Sequence, residues 1–243
     1  MLTLYQFEPK YGLPNVSPFC MKVECYLRMA NIPYSMQIIK DPRKAPKTKL
    51  PFIRDKDKTI ADSSFILEYL ERTYNVTLDH DLSAQKKGIA RALTGALEER
   101  LYFALVYSRW IDDANWPRIK DTWFNDLPFI ARSFVPNVVR KGVANSLKGH
   151  GIALHAPDEI YHIGVRDLQA LVDVLGDQRF MLGNSPSSVD AVAFSFVANI
   201  LYTPFTGPLF DFVIDQPTLT QYCQRMGKTV FSEFAVFQHP VGE

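Results

Sequence analysis

The sequence predicts a small α/β unit followed by an all-helical one. Up to about Tyr74, short strand-like runs alternate with two helical patterns. Asn75 to Ser83 is then polar and without periodicity, as a linker would be. Beyond it the apolar residues keep helical spacing and no segment reads convincingly as a strand. The expected domains are therefore residues 1–76 and 84–243.

The first strand is Leu2 to Phe7, followed by a Pro/Gly loop from Glu8 to Pro14. Ser17 can cap the next helix and Pro18 suits its first turn, where no amide hydrogen is needed. Cys20, Val23, Leu27 and Ala30 recur at steps of three and four along one apolar face. Tyr34 to Ile39 has strand character, and Asp41 to Thr48 reads as a loop or one irregular turn. Leu50 to Ala61 looks like a hairpin whose first strand is interrupted by Pro51. Asp62, Ser63 and Ser64 are three consecutive candidate caps for a helix carrying Ile66, Tyr69 and Leu70.

A long helix is expected from Ala84 to about Ile111, on the spacing of Ile89, Leu93, Leu97, Leu101 and Leu105. Pro136 is expected to open a helix reaching Leu147, and Pro157 another that closes at Gly176. Ser187-Ser188-Val189-Asp190 is a capping-box variant before an apolar run ending at Leu201. Pro217 opens the last helix, through Tyr222 and Met226.

Composition narrows the function. With 243 residues, 47% of them apolar and 22% charged, the chain reads as ordinary globular protein with ample core. A net charge of +1 argues against broad binding to nucleic acid or anionic membrane. The basic residues Lys40, Arg43, Lys44, Lys47 and Lys49 have no interleaved aromatics and read as a solvated loop. Three cysteines, none in a CxxC pair, make no disulfide framework. No secretory signal is visible, and the longest apolar run, Ala191 to Leu201, is too short to span a bilayer. A cytoplasmic, reduced chain without a membrane span is expected. His150, His155 and His162 lack a tight ligand pair, so no metal site is expected.

Ser17-Pro18-Phe19-Cys20, Lys49-Leu50-Pro51-Phe52, the Asp62-Ser63 helix start and Gly183 with Ser187-Ser188-Val189-Asp190 follow one another at family spacing. Together they resemble the glutathione transferase superfamily: a thioredoxin-like N-terminal domain and a helical C-terminal domain. Gly149-His150-Gly151-Ile152 before Pro157-Asp158-Glu159-Ile160 is most similar to its metaxin-like and failed-axon-connections-like branch. The resemblance implies a cis peptide before Pro51 and glutathione as co-substrate. It also implies a role in detoxification and, as family members are usually dimers, a homodimer, although no interface motif is readable.

Each part of glutathione then finds a partner. The backbone of Leu50, exposed where Pro51 interrupts the ladder, can exchange hydrogen bonds with the cysteinyl unit. Ser63 at a helix start can bind the γ-glutamyl carboxylate, and Asp62 can accept from its ammonium. Ser17 is the group expected to donate to the thiolate, at a helix start that also favours negative charge. Simple capping by Ser17, Asp62 and Ser63 remains the competing reading. Family architecture nominates Tyr11, Tyr107, Trp110 and Trp116 as an aromatic wall for a small hydrophobic electrophile, against ordinary core packing. Two other functions stay open: a binding or scaffold protein with little turnover, and a thiol oxidoreductase using Cys20.

Overall fold

The computed structural model describes residues 1–238. Strand β1 (Leu2–Gln6) lies at the centre of a four-stranded sheet, parallel to β2 (Tyr34–Ile38) and antiparallel to β3 (Phe52–Asp55). Strand β4 (Lys58–Ala61) completes the order β2-β1-β3-β4. Leu2, Leu4 and Ile53 on one face are buried beneath α1 (Pro18–Met29) and α2 (Ser63–Tyr74) with Leu27, Ile66 and Leu70. The peptide between Leu50 and Pro51 is cis. This is the sheet-and-helix arrangement of a thioredoxin-like domain. The run 239–243, at the end of the expected second domain, lies outside the described residues.

The rest is helical. A long helical rod over 84–111 is built from α3 (Ala84–Ala96), a π-helical turn at Leu97–Leu101, α4 (Tyr102–Val106) and a second π-helical turn at Tyr107–Ile111. Then come α5 (Trp116–Trp123), α6 (Phe129–His150), α7 (Pro157–Leu175), α8 (Ser188–Leu201), α9 (Pro208–Ile214) and α10 (Pro217–Val230). Among the described residues no helix is long and apolar enough to cross a membrane.

Two expectations need correction. Pro136 does not open its helix but lies inside α6, which starts at Phe129 after Pro128. A proline inside a helix removes one hydrogen bond and crowds the carbonyl four residues back, yet α6 continues through Pro136, whose own ring is buried. The two π-helical turns were not expected, because an apolar pattern does not distinguish a wide turn from an ordinary one.

Helix α8 holds the two units together. Every residue from Val189 to Leu201 is buried, and the helix packs most extensively against α1. Its start is fixed by the capping box. Asp190 accepts from the amides of Met181 (2.9 Å) and Ser187 (2.8 Å), the Ser187 hydroxyl (2.8 Å) and the Tyr222 hydroxyl (3.0 Å). Asp79, in the linker, caps the same end through the Ser188 amide at 2.8 Å. Removing the Asp190 carboxylate orphans several buried donors, each worth about 1–3 kcal/mol. Asp190→Ala should therefore lower stability by about 3 kcal/mol or more, and Tyr222→Phe by about 1 kcal/mol, read from urea unfolding midpoints.

Candidate functional site

A cleft of about 440 Å³ opens where the sheet unit meets the helical rod. Its floor is the start of α1. Ser17, in extended conformation, caps the helix by accepting from the Cys20 amide at 3.4 Å. Ser17 is half-buried and lines the cleft, so its hydroxyl belongs to both the helix and the opening. One wall is the segment Lys47 to Pro51, whose cis peptide turns the chain before β3. Beside it stand Asp62, Ser63 and Ser64 at the start of α2. Asp62 is held at φ 88°, a backbone region that L residues rarely adopt, and caps the helix through the Ser64 amide at 3.0 Å. Ser17, Leu50, Pro51, Asp62 and Ser63 thus line a single cleft, although up to 46 residues separate them in sequence.

The opposite wall comes from the rod. Its first π-helical turn brings Glu98 and Glu99 to the cleft, and Tyr102 and Phe103 follow. Glu98 pairs at 2.5 Å with Lys22, a lysine of α1 that is 1% exposed. Burial lowers the Lys22 ammonium below its ordinary range, while Glu98 acts in the other direction. That pair ties the helix of the floor to the rod.

The expected aromatic wall is not where it was placed. Tyr11, Trp110 and Trp116 belong to a separate apolar cluster with Ile119, Phe124 and Phe205. Tyr11 also hydrogen-bonds Thr122, and Tyr107 packs edge-on against Tyr161. The cleft takes its aromatics instead from Phe7, Phe19, Tyr102 and Phe103, with Phe19 and Tyr102 edge-to-face at 4.7 Å. Trp110, Trp116 and Phe124 pack on one another, and Phe205 covers Tyr11 edge-on, which keeps these rings together and away from the cleft. Lys47 and Lys49, expected in a solvated loop, also line the cleft. The cluster of basic residues was a visible signal, but nothing in sequence placed it opposite Ser17.

Cys20 lies next to Ser17 but is closed off from the cleft. It is fully buried with Ala45, Leu50 and Phe52, and burial pushes its thiol up to about 12. A thiol held protonated in this way is inert towards disulfide exchange.

The family models for the "Glutathione S-transferase N-terminal domain" and "Glutathione S-transferase, C-terminal domain" match residues 18–115 and 164–226. An isoprene-epoxide–glutathione S-transferase from Rhodococcus sp. (strain AD45) is 31% identical, over 94% of this chain and 98% of its own length. The chain belongs to the glutathione transferase superfamily. Failed axon connections of Drosophila melanogaster is 30% identical over 96% of this chain, which spans 59% of that relative. Metaxin-1 of Macaca fascicularis is 28% identical, over 91% of this chain and 73% of its own length. The branch of the superfamily is thus the metaxin-like and failed-axon-connections-like one. The transferase fold is seen directly in human glutathione-S-transferase T1-1, at TM-score 0.63 and 17% identity, over 100% of this chain and 93% of that one.

The buried thiols make stability sensitive to alkali. Cys20, Cys25 and Cys223 are all buried, and burial raises each of them above the ordinary thiol. An unfolded thiol ionises near about 8.5, so above that pH the unfolded chain releases protons that the folded chain keeps. Stability is therefore full below about pH 8.5 and falls as pH rises, by about 2 kcal/mol per thiol at pH 10. Urea midpoints measured between about pH 8 and pH 10 should show the fall, and Cys20→Ala should make it shallower.

Proposed function

We propose that the protein is a glutathione transferase that joins the glutathione sulfur to a small hydrophobic electrophile. The observation that carries this reading is the convergence of Ser17, the Leu50–Pro51 segment and the Asp62–Ser63 helix start on one cleft. The Leu50 backbone pairs with the cysteinyl unit like a neighbouring strand. Ser63 and the amides at the start of α2 take the γ-glutamyl carboxylate, and Asp62 takes the ammonium. The electrophile then lies against Phe7, Phe19, Tyr102 and Phe103.

Ser17 donates its hydroxyl hydrogen to the sulfur, which releases its proton to solvent. Lowering a thiol pKa by about two units requires about 2.7 kcal/mol of differential stabilisation. A hydrogen bond to a charged group supplies about 1.5–3 kcal/mol, and a helix start about 0.3–1. No separate general base is needed. The thiolate lone pair attacks the electrophilic carbon, forming the C–S bond as the bond to the leaving group breaks. With an epoxide, the electrophile named for the Rhodococcus relative, the C–O bond opens and the oxygen takes a proton from solvent.

A second reading has its own support. Failed axon connections and metaxin-1 resemble the chain about as closely as the transferase does. On that reading the cleft binds glutathione with little turnover. Calorimetry with millimolar glutathione, beside initial rates with a chromogenic electrophile, separates the two. Heat with turnover supports the transferase, heat alone supports the binding protein, and no heat removes glutathione from both. Ser63→Ala should weaken binding roughly ten- to a hundredfold. Ser17→Ala should lose most of the rate while keeping the binding.

A further inference from the structure

Among the described residues Arg109 is a buried cation like Lys22, but unlike Lys22 it has no carboxylate partner there. It projects from the second π-helical turn of the rod. One arm of its guanidinium donates to the Val16 carbonyl at 2.9 Å. The other donates to the Asn199 carbonyl of α8 at 2.5 Å and to the Asn199 side-chain oxygen at 3.2 Å. Its Nε has no partner, and its plane lies over the Phe205 ring at 5.0 Å. A buried charge is costly unless something compensates it, yet here only carbonyl oxygens and an aromatic face do so.

Everything this arginine holds leads to Ser17. Val16 is the residue before it. Asn199 also donates to the Asn15 carbonyl at 3.1 Å. Asn15 in turn accepts from the Ser17 amide at 3.0 Å and donates to the Phe7 carbonyl at 2.8 Å. The loop over residues 15–17 is therefore fastened on several sides just before the first turn of α1.

The geometry points to Arg109 as a positioning residue for Ser17, holding its loop through Val16 and Asn199 and placing an unneutralised positive charge behind the sulfur site. The inference rests on the reading of Ser17 as the group that meets the sulfur. A lysine could supply the charge, but only a planar fork reaches two carbonyls on two elements at once. The titratable groups that face Arg109 are the hydroxyls of Tyr11 and Tyr102, and Tyr102 itself lines the cleft. Burial lowers the guanidinium to about 10, so it is still charged at neutral pH. At Ser17 the helix start and this cation therefore add to the fields of Lys47, Lys49, Asp62, Glu98 and Glu99, which line the same cleft.

The test reads that field without glutathione. Ser17→Cys places a titratable sulfur at the mouth, and its ionisation follows from the rate of iodoacetamide alkylation against pH. Native Cys20, Cys25 and Cys223 are buried and do not compete. The introduced thiol should ionise at least about one unit below the ordinary value of about 8.5. Adding Arg109→Gln should raise it by about one unit, a tenfold loss of thiolate at neutral or lower pH, whereas Arg109→Lys, which keeps the charge but not the fork, should raise it by less. An unchanged thiol in the Arg109→Gln background overturns the inference. So does a Ser17→Cys thiol that ionises at or above about 8.5, a result that stands even if Arg109→Gln fails to fold. A protein that binds no glutathione but passes this test sinks the transferase reading alone.

Discussion

The molecule depends on α8 being dry. A helix buried along its whole length cannot leave any polar group without a partner, because an orphaned donor or acceptor there costs as much as several good contacts give. Each polar residue of α8 therefore became a fastening point. Asp190 ties the start of the helix to α10 and to the segment around Met181. Ser195 turns back on the Ala191 carbonyl at 2.7 Å. Asn199 reaches across to the loop of the other unit. Burial explains why the helix is there, and its polar residues explain what it holds.

Much of this was legible in the chain. Helical and strand spacing separate the two units, and the linker between them has no periodicity to confuse the boundary. Ser17 with Pro18, and Asp62 with Ser63, announce helix starts because caps are local: the residue and the amide it serves are two or three positions apart. The cleft residues that were missed are of another kind. Glu98 in the π-helical turn, and Tyr102 and Phe103 just after it, line the cleft, and an apolar pattern does not encode which side of the rod faces it. Tyr11, Trp110 and Trp116 cluster elsewhere, with Phe124, near the tryptophans in the chain, and Phe205, remote from them. Arg109 and Asn199 were invisible because a guanidinium bonded to a carbonyl 90 residues away leaves no local trace.

The two π-helical turns divide the labour of the rod. An uninterrupted helix of this length would present one stripe to the sheet unit and keep presenting it. Widening the turn at 97–101 and again at 107–111 lets the same rod offer carboxylates and aromatics to the cleft, then a guanidinium to the loop beneath it. The apolar positions between them, Leu101, Ala104 and Leu105, stay buried throughout. Function is thus inserted into a packed element without unpacking it.

The fastening of the mouth has a consequence for how such a protein can change. What Arg109 and Asn199 grip are the main-chain oxygens of Val16 and Asn15, and what Asn15 grips are the Ser17 amide and the Phe7 carbonyl. None of these bonds touches the side chain at position 17. Apart from the helix cap that the Ser17 hydroxyl gives the Cys20 amide, the scaffold does not depend on what it displays, and a lineage could exchange the displayed group, and with it the reaction, for another capping residue while the mouth keeps its shape.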